Sequence, residues 1–346
     1  MLLWLWVCPM DDILELGLID LETWCLARGL KKFTATQVFQ WLYQKKVTSF
    51  AEMTNVAKQA RAVLSEHFIV GHLEITERYH STQDGSTKFL MKLVDGRTVE
   101  SVLMPQKGRL TLCVSSQVGC AMGCTFCKTA EMKLVRNLTT AEILGQLIGA
   151  QRESEQRISN VVMMGMGEPL HNYEAVIQAV NRMTDPKALQ MSNRKVTVST
   201  VGLAPEIERF GLDTRVKLAL SLNATHEAGR LEVMPVTRKY PLDEVLAACK
   251  KYTTLTKHRV TLEYVMMAGV NDTPEDHKRL ARIASVFPCK INLIPYNPFP
   301  GSPYQRPAES SIMDFHKYLA DRHFQVNIRY SKGLDIMGAC GQLATR

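Results

Sequence analysis

Cys120-Ala-Met-Gly-Cys124-Thr-Phe-Cys127 is a C-x3-C-x2-C run that offers three thiols rather than four. Structural zinc sites close with four ligands, and ferredoxin-type clusters use four cysteines. Three thiolates on a four-iron cluster leave one iron open to a small molecule, so the centre can react as well as support. A zinc knuckle or a set of buried thiols is the plainer reading of the same residues. The chain holds nine cysteines: Cys8, Cys25, Cys113, Cys120, Cys124, Cys127, Cys249, Cys289 and Cys340. An odd count in 346 residues, with no secretion signal in view, argues against a disulfide framework. It points to a reducing, cytoplasmic setting, where clustered cysteine means metal or catalysis.

The elements that must position this run follow from periodicity. From residue 110 onward, apolar β-type runs alternate with helical segments. Strands are expected at Leu110–Ser115, Ser159–Met164, Lys195–Thr200, Val216–Leu222, Val260–Met266, Lys290–Ile294 and Gln325–Arg329. Helices are expected near 139–154, 172–184, 203–210, 242–254, 273–286 and 309–322. Thr139-Thr-Ala-Glu142 reads as a capping box, and Pro274 after Thr273 suits a first helical position. Alternation of this kind means parallel strands joined by crossovers. Six such units and no clear eighth predict an α/β fold built on a partial, open (β/α)6 barrel of TIM type. Reactive groups then belong at the C-terminal ends of the strands.

Unusual residues do fall there. Ser115-Ser-Gln-Val-Gly119 and the three cysteines follow the first strand, and Gly165-Met-Gly167-Glu168-Pro169 follows the second. Ser199-Thr200-Val-Gly202, Ser221-Leu222-Asn223-Ala224 and Pro295-Tyr296-Asn297-Pro298 follow three others. One polar loop residue is an ordinary turn feature. Recurrence at five strand ends predicts a shared ligand site, with the small residues letting a backbone edge approach the ligand and Glu168 accepting from an ammonium group.

Residues 1–75 read as a small helical domain, 76–108 as a β-rich connector with strands at Lys88–Leu93 and Thr98–Met104, and 109–346 as the core. Thr34-Ala-Thr-Gln37 reads as a capping box opening a helix over Gln37–Lys45, and Ala51–His67 reads as a second helix. Lys31, Lys32, Lys45, Lys46, Lys58 and Arg61 make this module basic, either as a solvated face or as an RNA-binding one. The whole chain carries a net charge of +8, which favours a polyanionic partner. Met1-Leu-Leu-Trp-Leu-Trp-Val-Cys8 is apolar but too short to span a bilayer, so no membrane association is expected; Met10 stands as an alternative start.

The spacing of the three cysteines, with Phe126 before the last, resembles the radical S-adenosylmethionine (SAM) signature. Further runs sharpen this: Phe50-Ala-Glu-Met-Thr-Asn55, Val99-Glu100-Ser-Val, Leu112-Cys113-Val-Ser-Ser-Gln-Val-Gly-Cys120, Arg136-Asn-Leu-Thr139, Gly165-Met-Gly-Glu-Pro-Leu170 and Ala339-Cys340-Gly-Gln-Leu343. Together, from about residue 28 to 343, the chain resembles the RlmN/Cfr family of radical SAM RNA methyltransferases. The resemblance implies a radical SAM barrel with a [4Fe-4S] cluster on Cys120, Cys124 and Cys127. It implies two SAM molecules per turnover, and SAM contacts at Gly167, Glu168, Ser199, Ser221, Leu222, Asn223 and Asn297. It also implies an electron donor such as flavodoxin or ferredoxin, a monomer, and 23S rRNA, with tRNA as a second substrate.

The implied chemistry is unusual. An adenine C2 carbon is electrophilic and cannot displace the methyl of SAM by itself. The family therefore methylates the C-terminal cysteine first, here Cys340, a step that needs thiolate character. A deoxyadenosyl radical from a second SAM takes hydrogen from that S-methyl group, and the methylene radical adds to adenine. Glu100 matches the general base, which without the resemblance would read as an exposed strand carboxylate. Cys113 matches the thiol that releases the base by attacking the Cys340 sulfur, leaving a transient disulfide. Pro169 matches the branch that methylates C2; the Cfr branch, which methylates C8, usually has Ala.

The chain departs from the pattern in places. Asn223 stands where His is frequent, Lys128 where Ala is usual, and Thr129–Val135 lack a glycine-rich loop. Arg329-Tyr-Ser-Lys-Gly333 replaces a more basic segment. These changes touch substrate-facing loops and spare the reacting residues. A C8 methyltransferase, a radical SAM enzyme acting on another RNA or a protein, and a non-catalytic basic RNA-binding protein with a structural metal site remain as alternatives.

Overall fold

A computed structural model describes residues 11–71 and 73–345. Cys8, the apolar run of residues 1–8 and the alternative start at Met10 lie outside the described residues. Ten strands form one sheet in which neighbours in space are neighbours in sequence. They are β1 (Glu74–His80), β2 (Thr87–Lys92), β3 (Thr98–Gln106), β4 (Arg109–Cys113), β5 (Asn160–Met163), β6 (Val196–Thr200), β7 (Lys217–Ser221), β8 (Val260–Met266), β9 (Cys289–Pro295) and β10 (Val326–Ile328). β4 to β10 are all parallel, and β1 to β4 pair antiparallel as a meander. All seven expected core strands are present, with ends moved by a residue or so. The β-rich stretch of 76–108 continues the barrel sheet, since β3 pairs with β4.

After α1 (Leu18–Ala27), α2 (Lys32–Gln40) and α3 (Lys58–His67) of the N-terminal part, helices cover the outside of the parallel strands: α4 (Thr140–Arg152), α5 (Tyr173–Thr184), α6 (Ala204–Asp213), α7 (Leu242–Thr256), α8 (Pro274–Ala284) and α9 (Glu309–Ala320). α5 buries Tyr173, Val176, Ile177, Val180 and Met183, one stripe at helical spacing. Along β8 the alternation is functional. Leu262, Tyr264 and Met266 face the helices, with Tyr264 edge-on to Phe315 of α9 at 5.6 Å. Thr261 and Glu263 face inward, where Asn292 of β9 donates to Glu263 at 2.9 Å. Ser199 and Ser221 meet on the same interior side of β6 and β7, hydroxyl to hydroxyl at 3.3 Å. A barrel filled only for stability would carry branched aliphatic residues there. Small and polar residues instead leave the interior fit for a polar ligand.

Both core caps behave as expected. Thr139 Oγ1 accepts from Glu142 N at 3.2 Å, and Glu142 Oε2 accepts from Thr139 N at 2.9 Å. Arg136 adds ion pairs to Glu142 at 2.8 Å and to Asp95 at 2.6 Å, tying the β2–β3 turn to the start of α4. Thr139→Ala is expected to cost about 1 kcal/mol, read as a lower denaturant midpoint with an unchanged slope.

The N-terminal part differs from its reading. α1 spans Leu18–Ala27 and α2 spans Lys32–Gln40, then runs into a π-helical turn at Trp41–Lys45. Lys31, not Thr34, is the N-cap, and Thr34 is buried inside the helix. The Thr34–Gln37 pattern is therefore not a cap. The second expected helix divides into a short 3-10 turn, Phe50–Glu52, and α3, Lys58–His67. The break has a cause: Glu52 folds back onto the main-chain N–H groups of Thr48 and Ser49, both at 2.9 Å, and closes that first turn on itself. Among the described residues no helix is long and apolar enough to cross a membrane.

Candidate active site at the open end of the parallel strands

Cys113 ends β4, and the chain runs directly into the loop of the three cysteines. Val118 and Arg136 pair antiparallel, and Cys120 N donates to Lys133 O at 3.1 Å, so residues 118–136 form a closed loop over the strand ends. Cys127 N donates to Cys124 O at 3.2 Å, and one helical turn, Lys128–Glu131, follows. Burial pushes the Cys120 thiol up to about 12 and raises Cys124 and Cys127 as well. The three thiols also feel one another's charge, since Cys124 is raised further by both Cys127 and Cys120. Metal ligation is what favours thiolates in such a place. Among the described residues no group of three or more His, Cys, Asp or Glu is set to hold a single ion. A four-iron cluster makes a different demand, because each thiolate takes its own iron.

Gly165-Met-Gly-Glu168 packs against that loop. Gly167 has φ +97°, and a Cβ there would lie 2.6 Å from Gln117 Cβ and 2.8 Å from Gln117 N. A Cβ at Gly165 would lie 2.7 Å from Ser115 Oγ and from Val114 O. The segment Val114–Gln117 thus leaves no room for a Cβ at either glycine. Gly167→Ala is expected to destabilise by on the order of 2–4 kcal/mol, combining backbone strain with overpacking. Comparing its unfolding midpoint with that of wild type checks this.

Glu168 is buried, and its two oxygens accept from Leu170 N at 3.1 Å and Val201 N at 2.9 Å. Burial nonetheless pushes its carboxyl up to about 7. A cation against it would restore the charged form. Asn223 takes a left-handed conformation, φ +55°, which Asn tolerates. Its Oδ1 accepts from Val265 N at 2.9 Å, so it locks the β7 loop to β8. Leu222 is buried beside it.

Asn297 Nδ2 donates to Ser331 Oγ at 2.8 Å and to the Cys340 carbonyl at 3.1 Å. Its Oδ1 is buried without a partner. An orphaned acceptor among these loops is a fit for a ligand that brings a donor, as the amino group of adenosine would.

The C-terminal segment closes over this mouth. Gly341 O accepts from Lys128 N at 2.7 Å, Leu343 O from Thr129 Oγ1 at 2.6 Å, and Pro298 O from Gln342 Nε2 at 2.9 Å. Asp84 holds Gly333 N at 2.7 Å, and Asp335 holds Thr82 N at 3.1 Å, anchoring the segment to the β1–β2 turn. The result brings Cys340 beside Cys127 and within the electrostatic reach of Cys113. Cys340 is solvent-accessible yet deep in the concave mouth, and the crowding pushes its thiol up to about 11. Burial, then the Cys340 thiol, raises buried Cys113 well above the usual thiol range. Both are free thiols here.

Glu100 is buried on β3, not exposed. Oε1 sits 2.8 Å from Lys88 Nζ, and Oε2 accepts from Ala344 N at 3.0 Å. Burial pushes the carboxyl up, while Lys88 and the N–H of Ala344 oppose it.

Two regions of known protein families match the chain: the ribosomal RNA large subunit methyltransferase N-terminal domain at residues 11–70, and the radical SAM superfamily at 114–281. The dual-specificity RNA methyltransferase RlmN of Pelobacter propionicus is 52% identical, covering 96% of this chain and 95% of that one. The chain belongs to the RlmN family of radical SAM RNA methyltransferases. The RlmN of Geotalea uraniireducens is 48% identical over 97% of each chain. A crystal structure of a radical SAM methyltransferase from Sphaerobacter thermophilus superimposes with a TM-score of 0.92 at 40% identity, covering 97% of this chain and 99% of that one. RlmN membership brings the family's cofactors, a [4Fe-4S] cluster and SAM, two SAM per turnover.

Sequence reasoning missed three residues near this RlmN site. Lys88 pairs with Glu100. Arg230 is fully buried beside Cys124, with Nη1 on Thr237 Oγ1 at 2.8 Å and Nη2 on Val201 O. Glu263, buried on β8, raises the Cys340 thiol while Arg329 lowers it. A charged residue inside an apolar strand is the signal that could have found Lys88 and Glu263. Lys128, the departure beside the cluster, turns its ammonium toward Glu131 and the Phe299 ring.

Proposed function

We propose that this enzyme methylates C2 of adenosine in the peptidyl-transferase region of 23S rRNA, with tRNA as a second substrate. The observation that carries the reading is the convergence of the Cys340 and Cys113 segments, far apart in sequence, at one barrel mouth: Ala344 N and Ser115 Oγ both bond Glu100, at 3.0 and 2.6 Å, and Lys128 N, next to Cys127, bonds Gly341 O at 2.7 Å. Cys120, Cys124 and Cys127 would hold the cluster, and Gly167, Glu168, Ser199, Ser221, Leu222, Asn223 and Asn297 would hold SAM. Bound there, the two would supply a 5′-deoxyadenosyl radical. Everything else is asked of the chain.

Cys340, as a thiolate whose proton has left to solvent, takes the methyl of the first SAM as S-adenosylhomocysteine leaves. The adjacent sulfonium cation favours that thiolate against burial. Hydrogen loss from the S-methyl group leaves a methylene radical, which adds to the adenine carbon. The adduct gives one proton to Glu100 and one electron to a carrier of the flavodoxin or ferredoxin class. Attack of Cys113 on the Cys340 sulfur breaks the carbon–sulfur bond. The methylene carbon gains a proton to become methyl, and a disulfide remains that two further electrons reduce.

Pro169 favours C2 over C8. Residues 1–75, with their lysines, serve as the RNA-binding module, and the enzyme works as a cytoplasmic monomer. Nucleoside mass spectrometry on protein-free rRNA and tRNA, after anaerobic turnover, tests the reading. 2-Methyladenosine is expected; 8-methyladenosine alone, or no methylated adenosine despite SAM cleavage, overturns it.

A further inference from the structure

Lys88 is an ammonium placed where stability alone gives little reason for one. Its side chain is 10% exposed and that of its partner Glu100 is 5% exposed. Lys88 pairs across the ladder with Val102, and Glu100 with Leu90, so the two are diagonal neighbours on one face of β2 and β3. At 2.8 Å the ion pair is close. A buried pair of this kind is a weak source of stability, because desolvation offsets the attraction, and apolar residues fill such positions as well or better.

The pair's surroundings suggest a use. Lys88 Nζ also reaches the Met337 carbonyl at 3.4 Å, just before Cys340, and lies 5.0 Å over the Tyr79 ring. The second oxygen of Glu100 accepts from Ala344 N, just after Cys340. The main-chain oxygen of Glu100 accepts from Ser115 Oγ at 2.6 Å, just after Cys113. The carboxylate thus sits between the two thiol-bearing segments, with the ammonium 2.8 Å from Oε1.

We propose that Lys88 is the positioning residue for proton removal from the RNA adduct: it fixes Glu100 through Oε1 and leaves Oε2 to take the proton. The inference rests on the reading of Glu100 as proton acceptor. Among the described residues Oε2 accepts from the Ala344 N–H at 3.0 Å, and a carboxylate oxygen keeps a second lone pair free for a proton. In the step, the carbon–hydrogen pair of electrons stays with the ring, the proton forms a bond to Oε2, and Lys88 keeps its own protons. Without the ammonium a carboxyl this deep is more stable neutral, and a neutral carboxyl cannot accept.

The test uses the full chain with its cluster reconstituted, SAM, reductant and protein-free large-subunit rRNA. Lys88→Met, Lys88→Gln, Lys88→Arg, Glu100→Gln and the double variant Lys88→Met/Glu100→Gln are compared. Three quantities are read: 5′-deoxyadenosine, methylated adenosine, and protein–RNA adduct on a denaturing gel. Lys88→Met is expected to keep 5′-deoxyadenosine formation and to lose product on the order of a hundredfold, as for removal of a general base. It should accumulate adduct as Glu100→Gln does, and Lys88→Arg should recover turnover. The double variant removes both buried charges and should melt near wild type while still trapping adduct. If Lys88→Met does not fold, Lys88→Gln, which keeps a donor without the charge, carries the same expectation.

Product at the wild-type rate from the uncharged variants overturns the inference. So does a parallel fall of product and 5′-deoxyadenosine with no adduct, which marks a structural role only. Normal product release by Glu100→Gln defeats the reading of Glu100 itself. Adduct from Glu100→Gln but none from Lys88→Met or Lys88→Gln defeats the Lys88 inference alone.

Discussion

Cys113→Ala is expected to leave the protein covalently attached to its RNA. In the proposed mechanism every step up to addition on adenine runs through Cys340, and Cys113 enters only to break the carbon–sulfur bond that addition creates. Its placement supports that proposal: it ends β4, it is buried, and its thiol senses Cys340. Apart from Cys340 and the three-cysteine loop, no other described cysteine lies there: Cys249 and Cys25 are buried on helices α7 and α1, and Cys289 opens β9. Turnover should stop at less than one methylated base per enzyme. A denaturing gel with labelled RNA should show a shifted band that ribonuclease collapses. Removing a small buried thiol costs only about 1–2 kcal/mol, so loss of fold is not the expected explanation. Free product at the normal rate with no shifted band would refute the resolving role.

Cys340→Ala is expected to abolish methylation entirely while 5′-deoxyadenosine still forms. Alanine cannot carry a methyl group, so no partial rate survives through this route. The segment itself should stay docked, because its anchors are main-chain groups of Gly341 and Leu343 and the side chain of Gln342. No adduct should appear, in contrast to Cys113→Ala. The double variant should behave as Cys340→Ala does, which places the two thiols in order. Methylated adenosine from Cys340→Ala at any substantial rate would mean that the methyl travels another way.

Much of this was legible in the sequence wherever chemistry dictates residue type. The three cysteines, Cys340 and Glu168 stand out by residue type and spacing, and the structure gathers them at the open end of the parallel strands. The barrel was legible because parallel strands, covered on both faces, read as apolar runs between helical stretches. Other features are set by tertiary neighbours. The crowding of Gly167 by Gln117, which leaves no room for a Cβ, has no sign in the local sequence. Thr34 matches a capping pattern, yet the helix begins earlier and buries it. Glu100 reads as an exposed strand carboxylate until the β2–β3 register puts Lys88 on its diagonal and the C-terminal segment on its other side. Partners across a sheet or from the chain's end have no local spacing to betray them.

The most direct test of the account follows the hydrogens of the methyl group. With SAM deuterated on its methyl, under anaerobic single-turnover conditions, the new methyl on adenosine is predicted to carry two of the three deuterons. The third should be found in 5′-deoxyadenosine. A product methyl that keeps all three would contradict passage through a methylene radical on Cys340, and with it the central role given to this site.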